Sequence, residues 1–238
     1  MITIARQLQK TIVLFSLIFI LFLCGCQDSK PKSIVADMEE QDEIEEIPIV
    51  DPITYDYDTT AWKEITERSG LVLDIRYATE NNFTEKQIYP CPRCFLRPVM
   101  ADRILRLQKD IKERYGMSLK LFDCYRPRPA QQKLWDIVPD ARYVTPPSKG
   151  SMHNRGLAVD ITLVDEKGEE LDMGTEYDFF GYKAYTTNKD LPKEILKNRD
   201  ILTKLMNVHG MKGIRTEWWH FSLKTEKAVL DSWEWECD

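Results

Sequence analysis

Apolar and polar positions along this chain fall into three patterns, and each predicts a different kind of element. Between residues 11 and 23 the apolar run is nearly unbroken, with Arg6 and Lys10 ahead of it. Over 98–116, Val99, Ile104, Leu105, Leu107 and Ile111 recur at three- and four-residue steps between Pro98 and Gly116, which predicts a long amphipathic helix. Similar spacing predicts helices over 61–69, with Thr60 as N-cap and Gly70 at the far end, over 130–138 and over 191–208. Period-two or compact apolar stretches predict strands over 71–77, 117–122, 157–164 and 218–223. Pro127 and Pro129 forbid continuation of the second of these. Turn-rich loops are expected over 78–97 and 139–150, a tight turn over 165–168, and irregular chain over 171–178. Strands and helices do not alternate regularly, so the expected class is α+β rather than a doubly wound sheet.

The first pattern changes the domain layout. A basic start followed by an apolar run shorter than the ~20 residues needed to span a bilayer is a signal-peptide pattern. Leu23-Cys24-Gly25-Cys26 resembles the lipobox of bacterial lipoproteins, which implies lipidation at Cys26 and a membrane anchor on the exported side. Residues 27–60 are polar and acidic, as in Asp37-Met-Glu-Glu-Gln-Asp-Glu-Ile-Glu-Glu46, and read as a self-repelling spacer. The expected layout is therefore signal peptide with lipobox over 1–26, spacer over 27–60 and one folded domain over 61–238.

Much of the formal net charge of -6 sits in that spacer, so it says little about the domain's partners, and nothing favours nucleic acid. Cys91, Cys94, Cys124 and Cys237 belong to the domain. In an exported protein they are candidates for disulfides, with three possible connectivities, or they are free thiols. Cys91-Pro-Arg-Cys94 lacks the second Cys/His pair that a structural zinc site needs.

Candidate chemistry rests on three histidines, His153, His209 and His220. His209-Gly210 reads as a helix end, where a cation is favoured. His153, Asp160 and His220 offer two imidazoles and a carboxylate, the donor set of a catalytic zinc with one position open to water. A turn at Asn154-Arg155-Gly156 would fold His153 back toward Asp160, and Gly156 permits it. Hydrolysis also needs a proton acceptor and donor, for which Glu217 is the candidate, and a fixed cation for the developing oxyanion, for which Arg126 is the candidate. Glu217 and His220 are three apart and would face opposite sides of a regular strand. A bulge or turn before Trp218 is therefore demanded.

Ser151-Met-His-Asn-Arg-Gly-Leu-Ala-Val-Asp160 and Glu217-Trp-Trp-His220 match Ser-x-His-x-x-Gly-x-Ala-x-Asp and Glu-x-Trp-His. With Asp74-Ile-Arg-Tyr-Ala78, Tyr125-Arg-Pro127 and Leu171-Asp-Met-Gly-Thr175, the sequence resembles the VanX-type D-alanyl-D-alanine dipeptidases, zinc D,D-peptidases with the Hedgehog-like fold. The resemblance implies a small, mainly antiparallel sheet carrying the site, with helices packed around it. It implies Zn2+ on His153, Asp160 and His220, Glu217 as general base and Arg126 as transition-state stabiliser. A free dipeptide carries an ammonium and a carboxylate. Asp172 or Asp178 is the candidate for the first and Ser151 for the second. Cys124 before the Tyr-Arg-Pro motif and the Cys91–Cys94 insertion depart from the family pattern. The expected activity is hydrolysis of D-alanyl-D-alanine in cell-wall peptide turnover. The alternatives are a D,D-carboxypeptidase or endopeptidase acting on peptidoglycan stem peptides, and a non-catalytic binding module.

Overall fold

A computed structural model describes residues 60–223 and 229–237. The expected signal peptide, lipobox and spacer, with Cys26, lie outside the described residues. None of the described helices is long and apolar enough to cross a membrane.

Seven strands and three α-helices form the domain: β1 (Lys63–Ile65), β2 (Val72–Leu73), β3 (Cys94–Leu96), α1 (Pro98–Tyr115), β4 (Ser118–Asp123), α2 (Arg128–Ile137), β5 (Ala158–Val164), α3 (Lys193–Val208), β6 (Lys212–Gly213) and β7 (His220–Ser222). Five strands make one sheet in the order β2-β4-β5-β7-β6, parallel only between β2 and β4, while β1 and β3 pair antiparallel on their own. The α+β class agrees with the sequence pattern, and the mainly antiparallel sheet with what the family resemblance implied. Every residue of β5 is buried, which fits a central strand covered on both faces.

Helix α1 begins with Pro98 at its first turn and ends at Gly116, whose φ of +67° lets its N–H reach the Lys112 carbonyl. Its stripe of Met100, Ile104, Leu107 and Ile111 is buried. The predicted helix over 61–69 is absent. The chain there forms β1 and a 3-10 turn over Glu67–Ser69, because β1 finds a partner in β3, within a segment whose turn residues suggested only loop. Trp62 stacks on Trp233 and lies under the Arg97 guanidinium, so distant residues outweigh the local helical spacing. The predicted strand over 71–77 shortens to Val72–Leu73, and Arg76–Ala78 turns as a 3-10 helix.

The four domain cysteines pair as Cys91–Cys237 and Cys94–Cys124. Cys91 and Cys94 thus bond to different partners. The first bond holds residues 229–237 over Trp62, Tyr125 and Phe95 through Trp233 and Trp235.

Candidate metal centre and active site

Strand register assembles the site. On the central strand, Asp160 lies directly opposite His220 of β7, and cross-strand partners place their side chains on one face. On the other flank a register shift between Leu121 and Asp123 sets Asp123 opposite Asp160, re-aiming a carboxylate that a regular ladder would turn away. His153 enters from a 3-10 turn over His153–Arg155 closed by Gly156 at φ +68°. A Cβ on Gly156 would lie 2.4 Å from the Trp62 ring, so both the backbone angle and the space require glycine. The turn demanded before Trp218 is also present: the chain bends at Arg215 and Thr216 and again at Trp218 and Trp219, and β7 starts only at His220. Glu217 and His220 therefore line the same cavity.

His153 Nε2, His220 Nδ1 and an Asp160 carboxylate oxygen form a nearly equilateral triangle with sides of 3.0, 3.1 and 3.2 Å. A tetrahedral ion with bonds of ~2.0–2.1 Å sets its ligand atoms roughly 3.3 Å apart, so the three donors fit one metal ion. Their surroundings fix the donor atoms. His153 Nδ1 donates to the Cys124 carbonyl at 2.7 Å, which leaves the Nε2 lone pair for a metal. Tyr177 donates its hydroxyl to the second Asp160 oxygen at 3.0 Å. Burial works against the Asp160 charge, yet the two imidazoles hold its carboxyl well below the usual range. Burial likewise opposes a charge on His153, and Asp160 overcomes it. The centre is a place where positive charge is favoured.

Arg126 is 8% exposed and borders the same cavity. Two of its nitrogens donate to one Asp123 oxygen, at 2.7 and 3.0 Å, and a third donates to Gln131 Oε1 at 3.1 Å. Burial disfavours its charge, but Asp123 and the surrounding phenols hold the guanidinium firmly protonated. Burial pushes the Glu217 carboxyl up to about 7, with His220 and Arg126 pulling down and Asp160 pushing up. A base tuned near neutrality beside a metal triad and a fixed cation is equipped for hydrolysis by activated water.

The cavity has a volume of about 380 Å³. Ser151 and Asp178 open onto it, and Phe83, Tyr143 and Phe180 form an aromatic wall, with Phe180 stacked on Tyr143 at 4.5 Å. Asp178 Oδ1 accepts from Tyr77 at 3.3 Å, while its enclosed Oδ2 has no hydrogen-bond partner among the described residues. Burial first, then the charge of Asp160, pushes its carboxyl well up. Asp172 is not brought to this cavity. It borders a separate groove, and its carboxylate accepts the Gly174 N–H at 2.7 Å, so it is placed as the cap of a turn rather than as a substrate contact.

Residues 65–234 match the sequence profile of the M15 peptidases, described as D-Ala-D-Ala dipeptidase. The chain belongs to this dipeptidase family. A D-alanyl-D-alanine dipeptidase of Escherichia coli is 39% identical over 155 residues, covering 64% of this chain and 79% of that one. One from Enterococcus faecalis is 30% identical over 181 residues, covering 66% and 88%. A solved vancomycin-resistance D,D-dipeptidase, VanXYg, in complex with a D-Ala-D-Ala phosphinate analogue, aligns over 68% of this chain and 67% of its own, at 17% identity and a TM-score of 0.31. The family is one of metallopeptidases, and this chain is an enzyme of that kind.

Within this dipeptidase fold, four supporting residues escaped the sequence reading: Asp123, Asn154, Tyr77 and Tyr177. Asn154 is fully buried; it donates to the Arg126 carbonyl at 2.7 Å and accepts from the Ser151 N–H at 2.7 Å, joining two active-site segments. Asp123 had a local signal, an acid that directly follows the apolar pair Leu121-Phe122 at the end of the strand, three residues before Arg126. Tyr77 had only its place in the Asp74–Ala78 motif, and Tyr177 had none, since their partners are distant in sequence. His209 caps α3 as expected, with Nε2 3.3 Å from Asp110, but burial holds its imidazole below the ordinary range, so the cation expected there is not favoured.

Proposed function

We propose that this enzyme is a zinc-dependent D-alanyl-D-alanine dipeptidase of the cell envelope, hydrolysing the dipeptide to two D-alanines. The observation that carries this reading is the convergence of His153, Asp160 and His220 with Glu217 and Arg126 on one small cavity, in a chain of this family. Zinc held by the three ligands would supply Lewis acidity and lower the pKa of a bound water toward ~7. Glu217 takes the proton from the attacking water and returns it to the leaving amine. Arg126, braced by Asp123 and Gln131, presents fixed positive charge to the oxyanion that develops at the peptide carbonyl. Asp178 receives the substrate ammonium, which gives its unpartnered oxygen a partner, and Ser151 receives the carboxylate.

A cavity of about 380 Å³ lies at the small end of ligand sites and suits a dipeptide better than a stem peptide. Two disulfides support an oxidising compartment, in keeping with an exported lipoprotein anchored at Cys26 and extended on the 27–60 spacer, with the catalytic domain over 61–238. The natural role that follows is the breakdown of wall-derived dipeptide.

The test is to incubate zinc-loaded protein with D-Ala-D-Ala and, separately, with a stem pentapeptide, and to measure released D-alanine. Release from the dipeptide is expected. Cleavage of the pentapeptide alone would replace the dipeptidase reading with a carboxypeptidase, and no cleavage of either would favour a binding module.

A further inference from the structure

The Leu171-Asp-Met-Gly-Thr175 motif has no place at the cavity, and the structure shows what it contacts instead. Asp172 caps Gly174, whose φ is +82°, and the Asp172 carbonyl accepts from Asn198 of α3 at 2.9 Å. A Cβ on Gly174 would lie 2.8 Å from Ile195, so the turn rests directly on α3. The residue after Asn198 on that helix, Arg199, is 7% exposed. Its Nε donates to the Met173 carbonyl at 2.7 Å, and its terminal nitrogens donate to the carbonyls of Tyr185 at 3.2 Å and Lys183 at 2.9 Å.

One guanidinium thus holds both ends of the segment 173–185. Between those ends lie Tyr177, which touches the metal-ligand Asp160, and Asp178, which faces the cavity in a left-handed conformation at φ +60°. Arg199 itself does not border the cavity. Three carbonyls fanned around one buried group match the planar, five-donor fork of arginine and exceed what the single ammonium of lysine covers in one geometry. Without it the Met173 carbonyl would lose its partner in a buried contact, while the Tyr185 carbonyl would keep only the Asn188 N–H and the exposed Lys183 would be left to water.

We infer that Arg199 is a positioning residue for substrate: by closing the 173–185 segment into a loop seated on α3, it sets Asp178 and Tyr177 at the cavity. The kinetic side of this inference rests on the dipeptidase reading; the structural side does not.

Arg199→Met, Arg199→Lys and Asp172→Ala test it, each compared with wild type by hydrogen exchange, zinc content and D-Ala-D-Ala kinetics. For Arg199→Met, exchange across 173–185 is expected to quicken about tenfold or more while α1 and β5 stay protected. Zinc stoichiometry should hold, and kcat/KM should fall about 10- to 100-fold with KM carrying most of the loss. Arg199→Lys should recover part of both effects, and Asp172→Ala should shift both a few-fold in the same direction. Unchanged exchange over 173–185, or a KM within about twofold of wild type in a zinc-loaded variant whose loop has loosened, overturns the inference. If Arg199→Met does not fold, Arg199→Lys and Asp172→Ala decide by the same two measurements. A wild type inactive on D-Ala-D-Ala overturns the substrate reading, and the exchange data still judge the clamp.

Discussion

The carbonyl oxygen of Cys124 lies 2.7 Å from Nδ1 of His153, so the disulfide joining Cys124 to Cys94 stands directly behind a candidate metal ligand. Groups that orient a ligating histidine commonly govern metal affinity about 10- to 100-fold. Replacing both cysteines by alanine is expected to weaken zinc binding by that factor and to lower stability by about 3 kcal/mol. A chelator-competition titration beside a thermal melt separates the two effects. A lower melting temperature with unaltered zinc affinity would mean that the bond serves the fold alone.

In the proposed mechanism Glu217 is the base and not a ligand. Glu217→Gln should therefore lower kcat about 10²- to 10⁴-fold. Zinc content by elemental analysis should stay at one per chain. Wild-type activity in this variant would remove Glu217 from the mechanism, and loss of zinc would make it a ligand.

Burial lifts the Glu217 carboxyl from its ordinary 4.5 up to about 7. A base works only when unprotonated, so activity should be full at alkaline pH and fall as pH drops through the carboxyl's pKa. A bound dication pulls that value down, which puts the acid limb between 4.5 and 7. The profile of kcat/KM against pH checks this, and a profile flat to below pH 4.5 would contradict it.

Asp178 is predicted to trade stability for binding. Its carboxyl holds a proton more tightly in the folded chain than in the unfolded one. Above the ordinary carboxylate pKa of 3.8 only the unfolded chain ionises freely, so stability is lost as pH rises from there toward the higher folded value. Asp178→Asn removes that loss and should stabilise the protein by about 1–2 kcal/mol at pH 7, with the gap closing toward pH 4. Its KM for D-Ala-D-Ala should rise about tenfold or more. Melting curves at both pH values and a KM measurement check it; lower stability at pH 7 would show that the buried oxygen has a partner in solution.

The sequence by itself determined the family, the five residues that meet at one cavity, and the long elements. His153, Asp160, His220, Glu217 and Arg126 were legible because scarce reactive residues sat in compact motifs, and α1, β4, β5 and α3 because their apolar spacing repeats over several turns or pleats. Even the turn before Trp218 followed from spacing, since residues three apart cannot share one face of a regular strand. Tertiary structure decided the rest. Strand β1 formed in place of a helix because β3 and Trp233 stand beside it, and a short segment follows its neighbours more than its own propensity. Asp172 and Asp178 are six positions apart and chemically identical, yet Gly174 seats one on α3 while a left-handed turn delivers the other to the cavity. Disulfide pairing and the Cys124 contact behind His153 likewise depend on which segments meet in space, and local sequence carries no record of that.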